Sequence, residues 1–326
     1  MIITDRDRKL LELLNRYLIL STKQVKELCF SGTSKTTMHR RLRVLEENSL
    51  IRSVLGHESG QSVWGLTREG GSLVGAKFPA KGFNRNSLEH DVSLTELRLC
   101  LEKHGSGNNW TSEWEIKCQS FNPKSRSTEA KKIIPDGVFV ILEGEKPLVF
   151  AVEMEFTLKH FKRYREIFKS YADNSGLQFV WYVVPTEAVG HTLLEQWNRN
   201  VKSSYRHFGY SVLSSILDDF WNAKMVFDKK EHFIYQVLRL KKPAHLGAHT
   251  PAHSVSGGPP KNEAAGTNPT AQSDSEIQNS NQKGGMPSVA DHSHPTSWLK
   301  VVGDDGQKKV KEEDQKQTKT EGDDAA

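Results

Sequence analysis

Ile133-Ile134-Pro135-Asp136-Gly137-Val138-Phe139-Val140-Ile141-Leu142 and Leu148-Val149-Phe150-Ala151-Val152-Glu153-Met154-Glu155-Phe156 are two apolar, β-branched runs that each carry acids at or near one end. Such runs read as strands, and Gly144-Glu145-Lys146-Pro147 between them reads as a hairpin turn. Successive strand residues point to opposite faces, so Glu153 and Glu155 share one face while Val152, Met154 and Phe156 take the other. Two acids on one strand and Asp136 on its partner can converge on a point. Mg²⁺ or Mn²⁺ suits such a place, because hard cations take oxygen ligands.

Beyond Glu155 the period changes. Leu158, Phe161, Tyr164, Phe168 and Tyr171 recur at three- and four-residue steps and predict a helix with an inward apolar stripe. Lys159 then falls in the first turn of that helix, next to the acids. A bound ion that activates water or polarises a phosphorus–oxygen bond, with a lysine to neutralise phosphate charge, is the chemistry of metal-assisted phosphoryl transfer. Taken singly, each residue is also an ordinary solvated charge, and Pro-Asp-Gly is a common turn signal. The ordered set of four favours a site.

The chain has 326 residues, a formal net charge of +5 and 36% hydrophobic residues. That length accommodates two domains. The low apolar content is local: from about Lys241 onward the sequence is Gly, Pro, Ser, Asn, Gln, Lys and Asp, which predicts a disordered tail over 241–326. The histidines of that stretch have no core to fix a metal geometry, and Trp298 to Val302 is its one apolar island. A basic balance fits a polyanionic partner. Cys29, Cys100 and Cys118 are too few and too scattered for a disulfide framework or a zinc site. No apolar run is long enough to span a membrane, and Met1 to Asp7 lacks the apolar core of a signal peptide, so a cytoplasmic location is expected.

Residues 1–80 have the rhythm of a winged helix-turn-helix. Thr4 can cap a helix with Leu10, Leu14 and Tyr17 on one face, and Ser21-Thr22 opens a second helix. Ser31-Gly32-Thr33 turns into a third, from about Ser34 to Asn48. Leu50 to Val54 and Ser62 to Leu66 flank Gly56 to Gly60 as a hairpin wing, and Thr67 starts a closing helix. On the third helix Met38, Leu42 and Leu45 point inward. Thr36, Thr37, Arg40 and Arg43 point away, with Arg41 at the flank. Arginine can bond guanine edges or phosphates bidentately, and threonine can contact thymine methyls or phosphates, so double-stranded DNA is the expected partner. Solubility, or pairing with a protein, is the alternative use of such a face.

Lys77 to Asn86 reads as a linker, after which residues 87–240 form the second domain. Its first helix runs from Ser87 to about Lys103 and carries His90 and Asp91, a pair that more often caps and packs than binds metal. Trp110 to Cys118 alternates and is read as a strand, which makes Glu113 an outside candidate for the site. Gln178 to Val184 is a buried strand. Helix, strand hairpin, helix and strand together predict an α/β or α+β domain around a small mixed sheet.

The order winged helix, His90-Asp91, Ser112-Glu113, Pro135-Asp136-Gly137, Glu153-x-Glu155 and Lys159 resembles the replication-relaxation family. It is similar to the MobC-type plasmid mobilisation relaxases, whose catalytic half looks like a PD-(D/E)XK endonuclease. The resemblance covers roughly Asp5 to Leu240. It implies Asp136, Glu153 and Glu155 as catalytic acids that hold Mg²⁺ or Mn²⁺ and Lys159 as the basic group, with His90 and Glu113 kept as accessory candidates from their positions in the sequence. It also implies a nickase acting at a plasmid or integrative-element origin of transfer. A type IV secretion coupling protein and an accessory mobilisation protein are the implied partners. In the strict endonuclease signature lysine sits two residues after the glutamate. Here that place is Glu155, and the lysine is displaced to 159. The alternative is a DNA-binding plasmid replication or copy-control protein without catalysis.

Overall fold

Capping boxes set the beginning of the chain. Thr4 accepts the Asp7 N–H while Asp7 accepts the Thr4 N–H, which starts α1 (Asp5–Tyr17). Ser21 and Gln24 repeat the exchange after β1 (Ile19–Ser21) and start α2 (Thr22–Cys29). Ser34 caps α3 (Lys35–Glu47). Strands β2 (Ile51–Leu55) and β3 (Ser62–Leu66) follow, then α4 (Arg68–Leu73) capped by Thr67. The three strands form an antiparallel sheet in the order β1-β3-β2. Leu10, Leu11, Leu14, Val25, Leu42, Leu45 and Trp64 make the core beneath it.

The structure, a computed structural model, describes residues 1–55, 62–107, 109–120, 133–142, 147–201 and 207–243. The expected wing tip, residues 144–146 of the expected hairpin turn and the tail beyond 243 lie outside those residues.

The second sheet has seven strands in the order β10-β9-β8-β7-β6-β5-β4. In chain order its elements are α5 (Leu88–Lys103), β4 (Thr111–Ser112), α6 (Glu113–Ser120), β5 (Gly137–Ile141), β6 (Leu148–Met154), α7 (Phe161–Asp173), β7 (Phe179–Val184), α8 (Glu187–Asn200), β8 (His207–Val212), α9 (Leu213–Asp218), β9 (Lys224–Phe227), β10 (Lys230–Phe233) and α10 (Ile234–Val237). Strands β6, β7 and β8 are parallel, joined by α7 and α8, and the outer strands run antiparallel. The whole is a mixed α+β fold.

Alternation sorts the second sheet into two faces. Val138, Ala151, Val180, Tyr182 and Phe208 pack under Tyr164 and Phe168 of α7 and Leu193 and Trp197 of α8. Phe139, Phe150, Trp181 and Met225 pack under Leu97 and Leu101 of α5, with Ile216 and Ile234. Helix α5 also faces the first sheet. Its Leu88 and Val92 pack on Ile19 and Val63, and Arg98 donates to the Arg16 carbonyl at 2.8 Å and to Glu102 at 2.9 Å. A helix buried on both sides has no clear polar face, which is why its sequence lacks a clean stripe.

Two local expectations fail here. Trp110 to Cys118 is a strand only at Thr111–Ser112 and then a helix. Ser112 and Glu115 exchange backbone–side-chain hydrogen bonds, 3.3 Å from the Glu115 N–H and 2.7 Å from the Ser112 N–H, so a capping box overrides the alternation. The helix after β6 begins at Phe161 rather than before Lys159, because the His160 side chain caps it. Leu158 and Phe161, expected inside, are 40% and 60% exposed.

A candidate acidic cleft and a basic helix face

Asp136 precedes β5, and the register Gly137↔Val152 places it opposite Glu153 on the sheet face that packs under α7. Gly137 is required beside it, since a Cβ there would lie 2.0 Å from the Trp110 ring. One carboxylate oxygen of Asp136 accepts the Met154 N–H at 2.8 Å and meets His90 Nε2 at 3.0 Å. Its carbonyl accepts the Glu113 N–H at 3.0 Å.

Glu153 is the penultimate residue of β6, with Tyr171 of α7 donating its hydroxyl to the carboxylate. Glu155 is the first residue past the strand, pinned where its N–H donates to the Val183 carbonyl at 3.0 Å. Its carboxylate is buried and paired with the Lys159 ammonium. Lys159 sits in the loop before α7 rather than in the helix, and its N–H donates to the Tyr164 hydroxyl at 3.0 Å. Its side chain remains 46% exposed.

These four residues line one open cleft of about 560 Å³, together with His90, Arg85, Asn86, Glu89 and Thr157. Glu113 is not among them. It is the first residue of α6, and its carboxylate pairs with Lys117. Only its backbone serves the site, through Asp136. The helical periodicity of 113–120 had been masked by the alternating tryptophans.

The electrostatics of the cleft are those of crowded acids. Burial, then the neighbouring Asp136 charge, push the Glu153 carboxyl well above its ordinary value, and Glu155 adds to the shift. Burial opposes protonation of His90, but its bonds to Asp136 and Asp91 outweigh it and push the imidazole up to about 10. At neutral pH it is a cation between two carboxylates, and Asp91 is itself paired with Lys81 at 2.8 Å. Burial and Glu153 raise the hydroxyl pKa of Tyr171 and of Tyr182, so both are proton donors rather than phenolates.

The donor set fits a divalent cation in kind: three carboxylates, all hard oxygen ligands, repelling one another at one place. Each is nonetheless engaged by the protein, through His90, Tyr171 and Lys159. Among the described residues no three His, Cys, Asp or Glu side chains are already set to hold a metal ion. A cation would have to displace those partners to bind here.

Helix α3 presents the other candidate surface. Thr36, Thr37, Arg40 and Arg43 are exposed. Thr37 bonds the capping Ser34 hydroxyl at 3.0 Å. Arg41, grouped with them from the sequence, is withdrawn: it is locked to the fully buried Asp7 and to the Ile2 carbonyl at 2.8 Å. The charge of a carboxylate 34 residues away decides its direction. Lys35 and His39 were missed. They line a hollow of about 460 Å³ with Thr22, Lys23 and Ser62, and their i,i+4 spacing beside Thr36 and Arg40 was the signal.

A family model described as replication-relaxation matches residues 11–180. The chain belongs to the replication-relaxation family. The matched span of this replication-relaxation protein runs from α1 to the start of β7 and contains both the α3 face and the acidic cleft. No curated protein and no solved structure matches the chain. Among the described residues no helix is long and apolar enough to cross a membrane.

Proposed function

We propose that this replication-relaxation protein is a metal-dependent DNA nickase. It would act in the cytoplasm at a plasmid or integrative-element origin of transfer, as MobC-type relaxases do. The observation that carries this reading is the gathering of Asp136, Glu153, Glu155 and Lys159 in one open cleft. In it the first sheet with α1–α4 is a winged helix-turn-helix that holds duplex DNA, and the second is a PD-(D/E)XK-like nuclease domain. A coupling protein and an accessory mobilisation protein are the expected partners.

Asp136, Glu153 and Glu155 would hold Mg²⁺ or Mn²⁺, which when bound supplies an activated water and neutralises phosphate charge. The remaining work falls to the chain's own groups. Tyr171 orients Glu153, and the Met154 N–H orients Asp136. His90 balances the charge of Asp136 from the far side. Lys159, its backbone fixed by Tyr164, carries an ammonium at the cleft mouth, where it can leave Glu155 for a phosphate. Tyr171 and Tyr182 are buried with raised hydroxyl pKa values, which suits them to donating hydrogen bonds rather than to nucleophilic attack.

A second reading, a DNA-binding plasmid replication or copy-control protein without catalysis, draws on the protein partners that already engage every acid of the cleft. Supercoiled plasmid bearing the cognate origin, incubated with protein and Mn²⁺, separates the two. Conversion to open circles that disappears in Glu153→Ala and Lys159→Ala, with DNA binding retained, supports the nickase. Binding without relaxation in any metal supports the second reading.

A further inference from the structure

The loop between β6 and α7 carries a feature that cutting itself does not use. Phe161 is 60% exposed, the only aromatic residue among the exposed large hydrophobic ones in the described residues. Its ring stacks on His160 at 4.9 Å between centroids, with 25° between the planes. Leu158, 40% exposed, flanks it, and Lys159 and Glu155 of the acidic cleft lie on the same short loop. A phenylalanine left in water at a helix start contributes nothing to the core, where Tyr164, Ile167, Phe168 and Tyr171 do that work.

The exposed positions of the helix beyond it carry Lys162, Arg163, Arg165 and Lys169 against Glu166 and Asp173. Phe161, Arg165 and Lys169 fall at i, i+4 and i+8 on one exposed row, with Lys162 beside it. Arg163 is answered by Glu166, but Lys162, Arg165 and Lys169 have no ion pair among the described residues. From residue 162 to 169 the helix rises about 10 Å, a span of one or two nucleotide steps along a single strand. Stacked rings next to a track of unanswered cations is how proteins hold unpaired bases and their phosphates.

We infer that the exposed face of α7 is a binding track for single-stranded DNA, with one unpaired base stacked on the Phe161–His160 pair at the entrance of the acidic cleft and the following phosphates on Lys162, Arg165 and Lys169. This deepens the nickase reading and rests on it for its purpose: an unpaired strand held there is presented to the cleft. A duplex hides its base faces in the stack and gains nothing from Phe161.

Fluorescence anisotropy of a labelled, mixed-sequence single strand of about 16 nucleotides, titrated with full-length protein in EDTA, tests the track without any cutting. Phe161→Ala should weaken single-strand binding about tenfold and leave duplex binding unchanged. Phe161→Trp should restore affinity, and its added indole fluorescence should be quenched by the strand. Changing Lys162, Arg165 and Lys169 together to Ala should lower the salt slope by about 2, at roughly 0.7 per phosphate contact. Equal single-strand affinity for wild type and Phe161→Ala overturns the inference, as does an unquenched Phe161→Trp variant. An equal loss on duplex overturns it too, by making the face a duplex contact. A protein that binds single strands through Phe161 yet never nicks in any metal removes the cutting and keeps the track.

Discussion

The acidic cleft and the exposed face of α3 are both built from polar and charged residues, yet they obey opposite rules. On α3, Thr36, Arg40 and Arg43 stand in solvent. In the cleft the three acids are constrained: Glu153 is buried among acids, Glu155 is pinned at a strand end, and Asp136 is shared by an imidazole and a backbone N–H. A solvated face can be altered one residue at a time with little effect on its neighbours. A crowded, half-buried cluster cannot, because each group sets the protonation of the next. The contrast appears even inside one helix, where Arg40 is exposed and Arg41 is tied to the buried Asp7.

The largest break in this comparison is expected from the cleft. Glu153→Gln, nearly isosteric and uncharged, should lower nicking of supercoiled plasmid about 1,000-fold while duplex binding is kept. Nicking within tenfold of wild type would remove Glu153 from the chemistry. Next comes Asp7→Ala, which strands the Arg41 guanidinium and breaks the Thr4 capping box. It should cost about 3 kcal/mol in urea unfolding, and nicking per folded molecule should be unchanged. A loss below about 0.5 kcal/mol would return Arg41 to the exposed face.

Smaller effects sharpen the difference between the two arginines. Arg40→Ala should lower the salt slope of duplex binding by about 1 and leave the unfolding midpoint alone. An unchanged slope would take α3 out of the DNA contact.

The two regions should also separate by pH. Burial alone would raise Asp7, but Arg41 and Thr4 outweigh it and hold the carboxyl below its ordinary 3.8. The stability this brings is present above pH 3.8 and is lost as pH falls through the depressed value. Glu153 is shifted the other way from 4.5, so its penalty is absent below that pH and grows as pH rises through the raised value. His90 acts in the same direction, its stabilisation full below 6.5 and lost as pH rises through about 10. Melting curves in EDTA from about pH 3 to about pH 9 should therefore flatten on the acid side in Asp7→Ala and on the alkaline side in Glu153→Gln. Identical pH profiles for the two variants would contradict the assignment.

How far the sequence could be read follows from which forces are local. Strands β5, β6 and β7 were legible because buried strands need continuous β-branched and aromatic runs, and alternation alone put Glu153 and Glu155 on one face. The caps Thr4, Ser21, Ser34 and Thr67 were legible for the same reason, since a cap acts within four residues. Three things were not. The helix at Glu113 lay hidden because the alternating Trp110, Ser112, Trp114 and Ile116 imitate a strand, and only the spacing of Ser112 and Glu115 betrays it. Lys159 was assigned to a helix that His160 starts later, so the lysine reaches the acids from a loop. The roles of Arg41 and His90 depend on Asp7 and Asp136, partners far away in sequence, which no periodicity can supply.

The proposed cation site is made of the carboxylates of Asp136, Glu153 and Glu155. Mn²⁺ titration of the EDTA-stripped, dialysed full-length protein, followed by electron paramagnetic resonance of the free ion, addresses it most directly. The wild type should show one saturable site that is lost in Glu153→Gln and in Asp136→Asn, while Arg40→Ala keeps it. Saturable binding of the same strength in both carboxylate variants, or no saturable site in the wild type with DNA present, would contradict it.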